Sequence, residues 1–300
     1  MKVDSGPYSS CSVGLASAHR DDAFIWMNQR QECSVEAIIT DPPYGILEYT
    51  DTEQDKLRSG RGGVWRIPPT LDGIQRAPLP RFTILNERQL YLLREFYEDL
   101  ARCAERVLVP GGHLFVASNA LLAPQVSAAL DRVWGLEYRG TIIRLVTTMR
   151  GGDRPKNAHV EFEDVSVMPR SMHEPWLLFR KRLDGTVSNN LRKWGTGGLR
   201  RVSSAKPFGD VIRSSPTPKR ERDIARHPSL KPQAFLRSLV RASLPLNLGT
   251  VLDPFCGSGS LLAAANALGV KSIGVESDRA FFADIPSNVT KLSALEVSVD

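Results

Sequence analysis

Three hundred residues with 42% hydrophobic content can bury one sizeable core, or a core with a small appendage. No apolar run approaches the roughly 18 residues needed to span a bilayer, and the polar start lacks a secretory pattern, so a soluble cytoplasmic protein with no membrane partner is expected. The net charge of +6 is unevenly placed, because residues 180–226 hold thirteen Lys and Arg against four Asp and Glu, an excess of +9 on a remainder of −3. The four cysteines include no Cys-x-x-Cys pair and the five histidines no His-x-x-x-His pair, so neither a disulfide framework nor a metal site is expected.

The first clear element is the apolar run 37–40, which fits a buried parallel strand. It ends in Asp41-Pro42-Pro43-Tyr44. Each proline fixes its own φ and biases the preceding residue towards extended geometry, so a carboxylate and an aromatic face share one rigid turn. Such a turn suits a planar base with an exocyclic amine, although Asp and Pro also suit ordinary turns. Residues 45–85 are too polar and glycine-rich for a core element and too long for an idle connection, so they are expected to form a mobile loop over a substrate.

Apolar residues at Leu92, Leu93, Phe96, Leu100, Cys103 and Ala104 predict a helix over 88–107 that stops before Pro110-Gly111-Gly112. A strand over 114–117, a helix over 121–134 and strands over 141–148 and 176–179 follow. Residues 149–156 form a basic, glycine-bearing loop that suits a phosphate contact as well as mere solvation. The basic stretch 180–226 combines Gly, Ser and Pro with few helix signals, and reads as loop chemistry with the footprint of a phosphate-binding surface. A solvated insertion is the plainer alternative.

The last third reads as a helix over 232–244, a strand over 250–252, the turn Asp253-Pro254-Phe255-Cys256-Gly257-Ser258-Gly259, a helix over 261–268, a strand over 272–275 and a helix over 279–284. Glycines at a strand-to-helix turn let a ligand approach the backbone closely, and Glu276 ends the next strand about twenty residues on, as in nucleotide-binding folds. Alternating strands and helices imply an α/β fold with a doubly wound sheet. Ligands then bind outside the carboxyl ends of the strands, where Asp41, Asp253 and Glu276 all fall.

These motifs, in this order, resemble the beta class of S-adenosylmethionine-dependent DNA amino methyltransferases, in which the catalytic motif precedes the cofactor motif. Three further blocks carry the resemblance: Asp22-Ala23 with the strand running into Asp41, the segment Arg106-Val107-Leu108-Val109-Pro110-Gly111-Gly112-His113-Leu114-Phe115, and His227-Pro228-Ser229-Leu230-Lys231-Pro232. The resemblance implies a Rossmann-like methyltransferase sheet with circularly permuted motif order and a small basic target-recognition insertion. The corresponding organisation is a catalytic half over 1–179, a target-recognition segment over 180–226 and a cofactor-binding half over 227–300.

The resemblance also implies roles for individual residues. Asp41, Pro42, Pro43 and Tyr44 form the catalytic turn: the Asp41 carboxylate and the Pro42 carbonyl accept from the target amine, and Tyr44 stacks on the base. Contacts to S-adenosylmethionine fall to Phe255, Gly257 and Gly259, with Glu276 on the ribose hydroxyls and Asp22-Ala23 near the adenine. Asp253 is expected to orient the turn or meet the methionine amine, Lys231 to close the pocket, and Cys256 to fill space beside them. Nucleic-acid contacts are expected from Arg150, Arg154, Lys156, Arg192, Lys193, Trp194, Arg200 and Arg201. The expected partner is double-stranded DNA, and the resemblance leaves room for a homodimer and for restriction or phage-defence partner proteins.

Asp at the head of the tetrapeptide favours N6-adenine as acceptor over N4-cytosine, since family members with Ser there mostly modify cytosine. Cytosine methylation and a catalytically silent DNA-binding specificity subunit are the alternatives. A dehydrogenase-like dinucleotide binder fits poorly, because the third glycine of Gly-x-Gly-x-x-Gly is missing and Asp-Pro-Pro-Tyr would have no task.

Overall fold

The structure, a computed structural model, describes residues 9–43, 85, 87–146, 154–155, 157–225, 227 and 229–297. Tyr44, Arg150 and Lys156, most of the 45–85 segment and the end of the 141–148 strand lie outside the described residues.

The strands are β1 (Ser10–Val13), β2 (Ala16–His19), β3 (Val35–Thr40), β4 (Leu108–Ala117), β5 (Leu136–Leu145), β6 (His173–Lys181), β7 (Val211–Arg213), β8 (Thr250–Asp253) and β9 (Lys271–Val275). The helices are α1 (Ala23–Gln29), α2 (Glu87–Val107), α3 (Ala123–Leu130), α4 (Val187–Trp194), α5 (Lys219–Ile224), α6 (Gln233–Ser243), α7 (Ser260–Ala267) and α8 (Arg279–Ser293). One sheet joins the strands in the order β1-β2-β9-β8-β3-β4-β6-β5-β7. From β2 to β4 all neighbours are parallel, whereas β6 runs antiparallel to both β4 and β5.

Alternating side chains point to opposite faces of the central strands. Ile38, Leu114, Val116, Leu177, Phe179 and Leu252 pack under α1, α2 and α3. Ala37, Ile39, Phe115, Trp176, Leu178 and Val251 pack under α6 and α7 on the other face. Helices cover both faces, which makes the sheet doubly wound and explains why β3, β4 and β6 read as near-continuous apolar runs. Among the described residues, no helix is long and apolar enough to cross a membrane.

Several elements depart from the sequence expectations. The strand expected over 114–117 starts at Leu108, because Pro110-Gly111-Gly112 forms an irregular stretch inside β4: Val35 pairs with Leu108, yet Ala37 pairs with His113. The helix expected over 121–134 is confined to α3, and the chain then turns through Gly135, where a Cβ would lie 2.3 Å from Glu105 Cγ. The strand expected from 141 begins at Leu136, since β5 pairs along the whole of β6. The helix expected over 279–284 continues through Pro286 to Ser293, because Phe282, Ile285, Val289 and Leu292 keep a buried face at helical spacing.

The stretch 180–226 is more regular than its composition suggests. It contains α4, β7 and α5, and β7 extends the sheet by pairing with β5. α4 is delimited by Thr186, whose Oγ1 accepts from Asn189 N, and by Gly195 in left-handed geometry at φ 73. Its anchor is Asn190, a buried side chain donating to the carbonyls of Pro110 and Thr196 at 2.9 and 2.8 Å.

The crowded joint between β9 and the glycine turn yields a test. A Cβ on Gly274 would meet Cys256 Sγ at 2.7 Å and Leu262 Cδ1 at 2.8 Å. Gly274→Val should cost about 1–3 kcal/mol in chemical denaturation, and a variant as stable as the parent would contradict this packing.

Candidate active site

β3, β8 and β9 lie side by side and end at the same edge of the sheet, so Asp41, Asp253 and Glu276 collect there. The first contact between the two motifs is direct: Thr40 Oγ1 donates to Asp253 Oδ1 at 2.8 Å. The same oxygen accepts from Phe255 N at 3.2 Å and shapes the start of the glycine turn. Gly257 N donates to Glu276 Oε2 at 2.8 Å, while Asp278 N donates to Glu276 Oε1 at 2.7 Å.

Left-handed backbone recurs through this turn. Gly257 has φ 50 and Gly259, immediately before α7, has φ 84, a region that side chains resist. A Cβ at Gly257 would also approach His227 Nε2 to 2.8 Å. The turn therefore presents bare backbone and the amino end of a helix, which favours negative groups, beside the carboxylates of Asp253 and Glu276, which favour positive ones, a cradle that fits a nucleoside-like ligand.

Asp41 anchors the other wall. Its Oδ2 accepts from Lys231 Nζ at 2.6 Å and from Ser229 Oγ at 2.7 Å. Its Oδ1 is buried and, among the described residues, has no hydrogen-bond partner. Lys231 also pairs with Glu174 Oε1 at 3.1 Å, and Glu174 Oε2 accepts from Arg144 Nη1 at 2.6 Å. Burial opposes charging of Lys231, but the Asp41 and Glu174 carboxylates outweigh it and hold the ammonium above its ordinary pKa. Burial would likewise push the Glu174 carboxyl up, yet Lys231 and Arg144 keep it below the usual range.

The remaining groups titrate according to burial. Asp253 is pushed up to about 7 by desolvation, against the hydrogen bonds from Thr40 and Phe255. Burial also raises Glu276 and, strongly, the Cys256 thiol. His227 is lowered by burial, and its Nδ1 accepts from Ser229 N at 3.2 Å.

Asp41, Lys231, Asp253, Phe255, Cys256 and Gly257 line one cleft, joined by His227 and Ser229. Pro42 is buried and Pro43 exposed as the chain leaves Asp41. Phe255 packs against Phe24 and Phe96 at ring separations of 6.0 and 5.6 Å. Asp22 caps α1 by accepting from Phe24 N and Ile25 N, next to buried Ala23, and the neighbouring Asp21 N reaches the Glu276 carbonyl.

The basic residues divide between the two ends of the sheet. Arg154 belongs to the segment joining β5 to β6, which leaves and re-enters the sheet at the cleft end. Arg192, Lys193 and Trp194 belong to α4, anchored beside Pro110 at the opposite end. There Lys193 pairs with Asp184 at 2.5 Å and Trp194 Nε1 donates to the same carboxylate at 3.1 Å. Arg200 donates to Asn247 Oδ1 at 2.6 Å in the turn that precedes β8, with Arg201 adjoining, so both also lie away from the cleft.

Sequence reasoning did not single out Thr40, Arg144, Glu174 or Ser229. Ser229 sits within the quoted His227–Pro232 block and was accessible there, whereas Arg144 and Glu174 are polar residues on ordinary strands with no motif to mark them.

The DNA methylase family N6_N4_Mtase matches residues 35–286. The Type II methyltransferase M2.LlaDCHI of Lactococcus lactis subsp. cremoris is 23% identical over 260 residues, covering 87% of this chain and 84% of that protein. In fold the chain is similar to the M1.HpyAVI–SAM complex, with a TM-score of 0.56 and 18% identity over 91% of this chain and 98% of that one. It is also similar to the cytosine-N4-specific PvuII DNA methyltransferase, with a TM-score of 0.60 and 12% identity over 95% and 88% of the two chains.

The buried Asp253 carboxyl predicts a pH-dependent stability. Its folded pKa lies above its ordinary value of 3.8, so its contribution is fully present below about pH 4 and is lost as pH rises through about 7. Asp253→Asn, which keeps an acceptor for Thr40 and Phe255, should therefore stabilise the ligand-free protein at pH 8 and gain little at pH 4. Denaturation curves showing the same difference at both pH values would contradict the assignment.

Proposed function

This chain belongs to the N6/N4 DNA methylase family, enzymes that use S-adenosylmethionine as methyl donor, and we propose that it methylates the N6 amine of an adenine turned out of double-stranded DNA. The observation that carries this reading is the division of labour within the Asp41 carboxylate, one oxygen held by Lys231 and Ser229 and the other buried, without a hydrogen-bond partner among the described residues, at the same cleft as the glycine turn.

An exocyclic amine on a base is a poor nucleophile because its lone pair is delocalised into the ring. An acceptor aimed at its hydrogens favours a pyramidal, amine-like nitrogen and stabilises the charge that develops on it. Asp41 Oδ1 is assigned that task, with the Pro42 carbonyl as second acceptor and Tyr44 stacking on the base. S-adenosylmethionine, when bound, supplies a methyl group already activated on a sulfonium. The protein's remaining work is alignment and exclusion of water. Gly257 and Gly259 admit the donor to the backbone, Glu276 accepts from its ribose hydroxyls, Asp253 faces its ammonium, and Phe255 with the Asp22-Ala23 turn borders its adenine.

A base inside a duplex cannot reach a carboxylate set in a cleft. The target is therefore flipped out, at a cost of a few kcal/mol in stacking and pairing. Phosphate contacts are assigned first to Arg154, with Arg150 and Lys156 beside it in sequence, in the segment whose described neighbours Leu145 and His173 lie at the cleft end of the sheet. The α4 residues Arg192, Lys193 and Trp194, together with Arg200 and Arg201, lie at the far end of the sheet and suit a contact remote from the reacting base. The order of the motifs supports the beta class, and the Type II methyltransferase relative supports a role in restriction-modification.

Incubation with labelled S-adenosylmethionine and unmethylated genomic DNA, followed by nucleoside mass spectrometry, tests the reading. The expected product is N6-methyladenine. N4-methylcytosine would overturn the choice of base, and an unmodified duplex with donor still bound would favour a silent DNA-binding subunit.

A further inference from the structure

We propose that Glu174 and Arg144 are positioning residues for Asp41, acting through Lys231 to decide which oxygen of the catalytic carboxylate is left free for substrate. The proposal rests on the methyltransferase reading and extends it to two strand residues with no motif around them.

Four charged side chains alternate in sign along a continuous path. Arg144 Nη1 meets Glu174 Oε2 at 2.6 Å, Glu174 Oε1 meets Lys231 Nζ at 3.1 Å, and Lys231 Nζ meets Asp41 Oδ2 at 2.6 Å. Arg144 and Lys231 are only 6% and 9% exposed. The set is neutral overall, as buried charges must nearly be, because an unpaired one is strongly destabilising.

Each member has a distinct mechanical task. Lys231 ends a four-carbon stem with many rotamers, so pairing with a carboxylate does not by itself fix where its ammonium sits. Glu174 stands at the start of β6 and supplies a second anchor on a rigid element. Asp41, Glu174 and the Ser229 hydroxyl, whose Oγ lies 3.0 Å from Nζ, together hold the ammonium on the Oδ2 side of Asp41. Without the Glu174 charge, Asp41 and the Ser229 hydroxyl bound to it no longer have a counter-pull from β6, and the ammonium can move to bridge both Asp41 oxygens and occupy the acceptor that the amine requires. Arg144 in turn aims Glu174 through its planar fork and is itself tied to Ser214 Oγ at 3.0 Å and the Ser215 carbonyl at 2.8 Å. The path therefore runs from the chain that leaves β7, at the cleft edge of the basic segment, to the reacting group.

Glu174→Gln in the full-length protein tests this. The expected result is a fall in kcat of about 10- to 100-fold, with the Kd for S-adenosylmethionine and the KM for DNA changed by less than about twofold. Glu174→Asp, which keeps the charge, should recover part of the loss. Should Glu174→Gln fold poorly, Arg144→Gln/Glu174→Gln leaves a neutral Lys231–Asp41 pair and should show the same low kcat with intact donor binding. An undiminished kcat in these variants, or loss of donor affinity in step with kcat, would overturn the proposal. Absence of transfer by the unaltered protein in the same assay would remove the functional reading itself, and the proposal with it.

Discussion

The Lys231 ammonium is buried between the carboxylates of Asp41 and Glu174, and the geometry of the cleft follows from its need for both. Burial opposes the charge on both Lys231 and Glu174, and the opposite charges beside them outweigh it. The arrangement ties the end of β3 to the start of β6 and, through Arg144, to the chain beyond β7. Three parts of the molecule far apart in sequence are thereby held to one carboxylate.

The sheet makes that meeting possible. Parallel strands deliver their carboxyl ends to one edge, and the adjacency of β3, β8 and β9 sets the Asp41 turn directly against the glycine turn. Thr40 bridges the two by donating to Asp253, and Glu276 restrains Gly257 from the next strand. Burial then leaves Asp253 with a pKa near neutrality, so a cationic ligand arriving beside it would favour its ionised form. The Asp41 turn and the glycine turn are thus shaped by the same few hydrogen bonds.

Much of this was legible in the sequence because motif and strand coincide. The apolar runs at 37–40 and 250–252 predict strands ending at Asp41 and Asp253, and both are observed as β3 and β8. The elements missed are those whose stability is tertiary. β1 and β2 are four residues each and depend on pairing with one another and with β9, while α4 rests on two caps and a buried Asn190 in a stretch otherwise rich in turn formers. The basic character of 180–226 was visible, but its distribution was not. β6 runs down to the far end of the sheet and β7 returns, so Arg192 to Arg201 lie far from the residues that line the cleft. Glu174 and Arg144 carry no local signature at all, since only strand register brings them beside Lys231.

A paired titration and turnover assay on Asp41→Ala separates the role of this carboxylate from that of the glycine turn. In this variant Lys231 keeps Glu174 as partner and the glycine turn keeps its contacts, so calorimetry should give S-adenosylmethionine affinity close to that of the parent while methyl transfer to DNA disappears. Transfer that persists would show that the free oxygen of Asp41 is not the acceptor for the amine. Equal loss of binding and transfer would show that Asp41 belongs to the donor site instead.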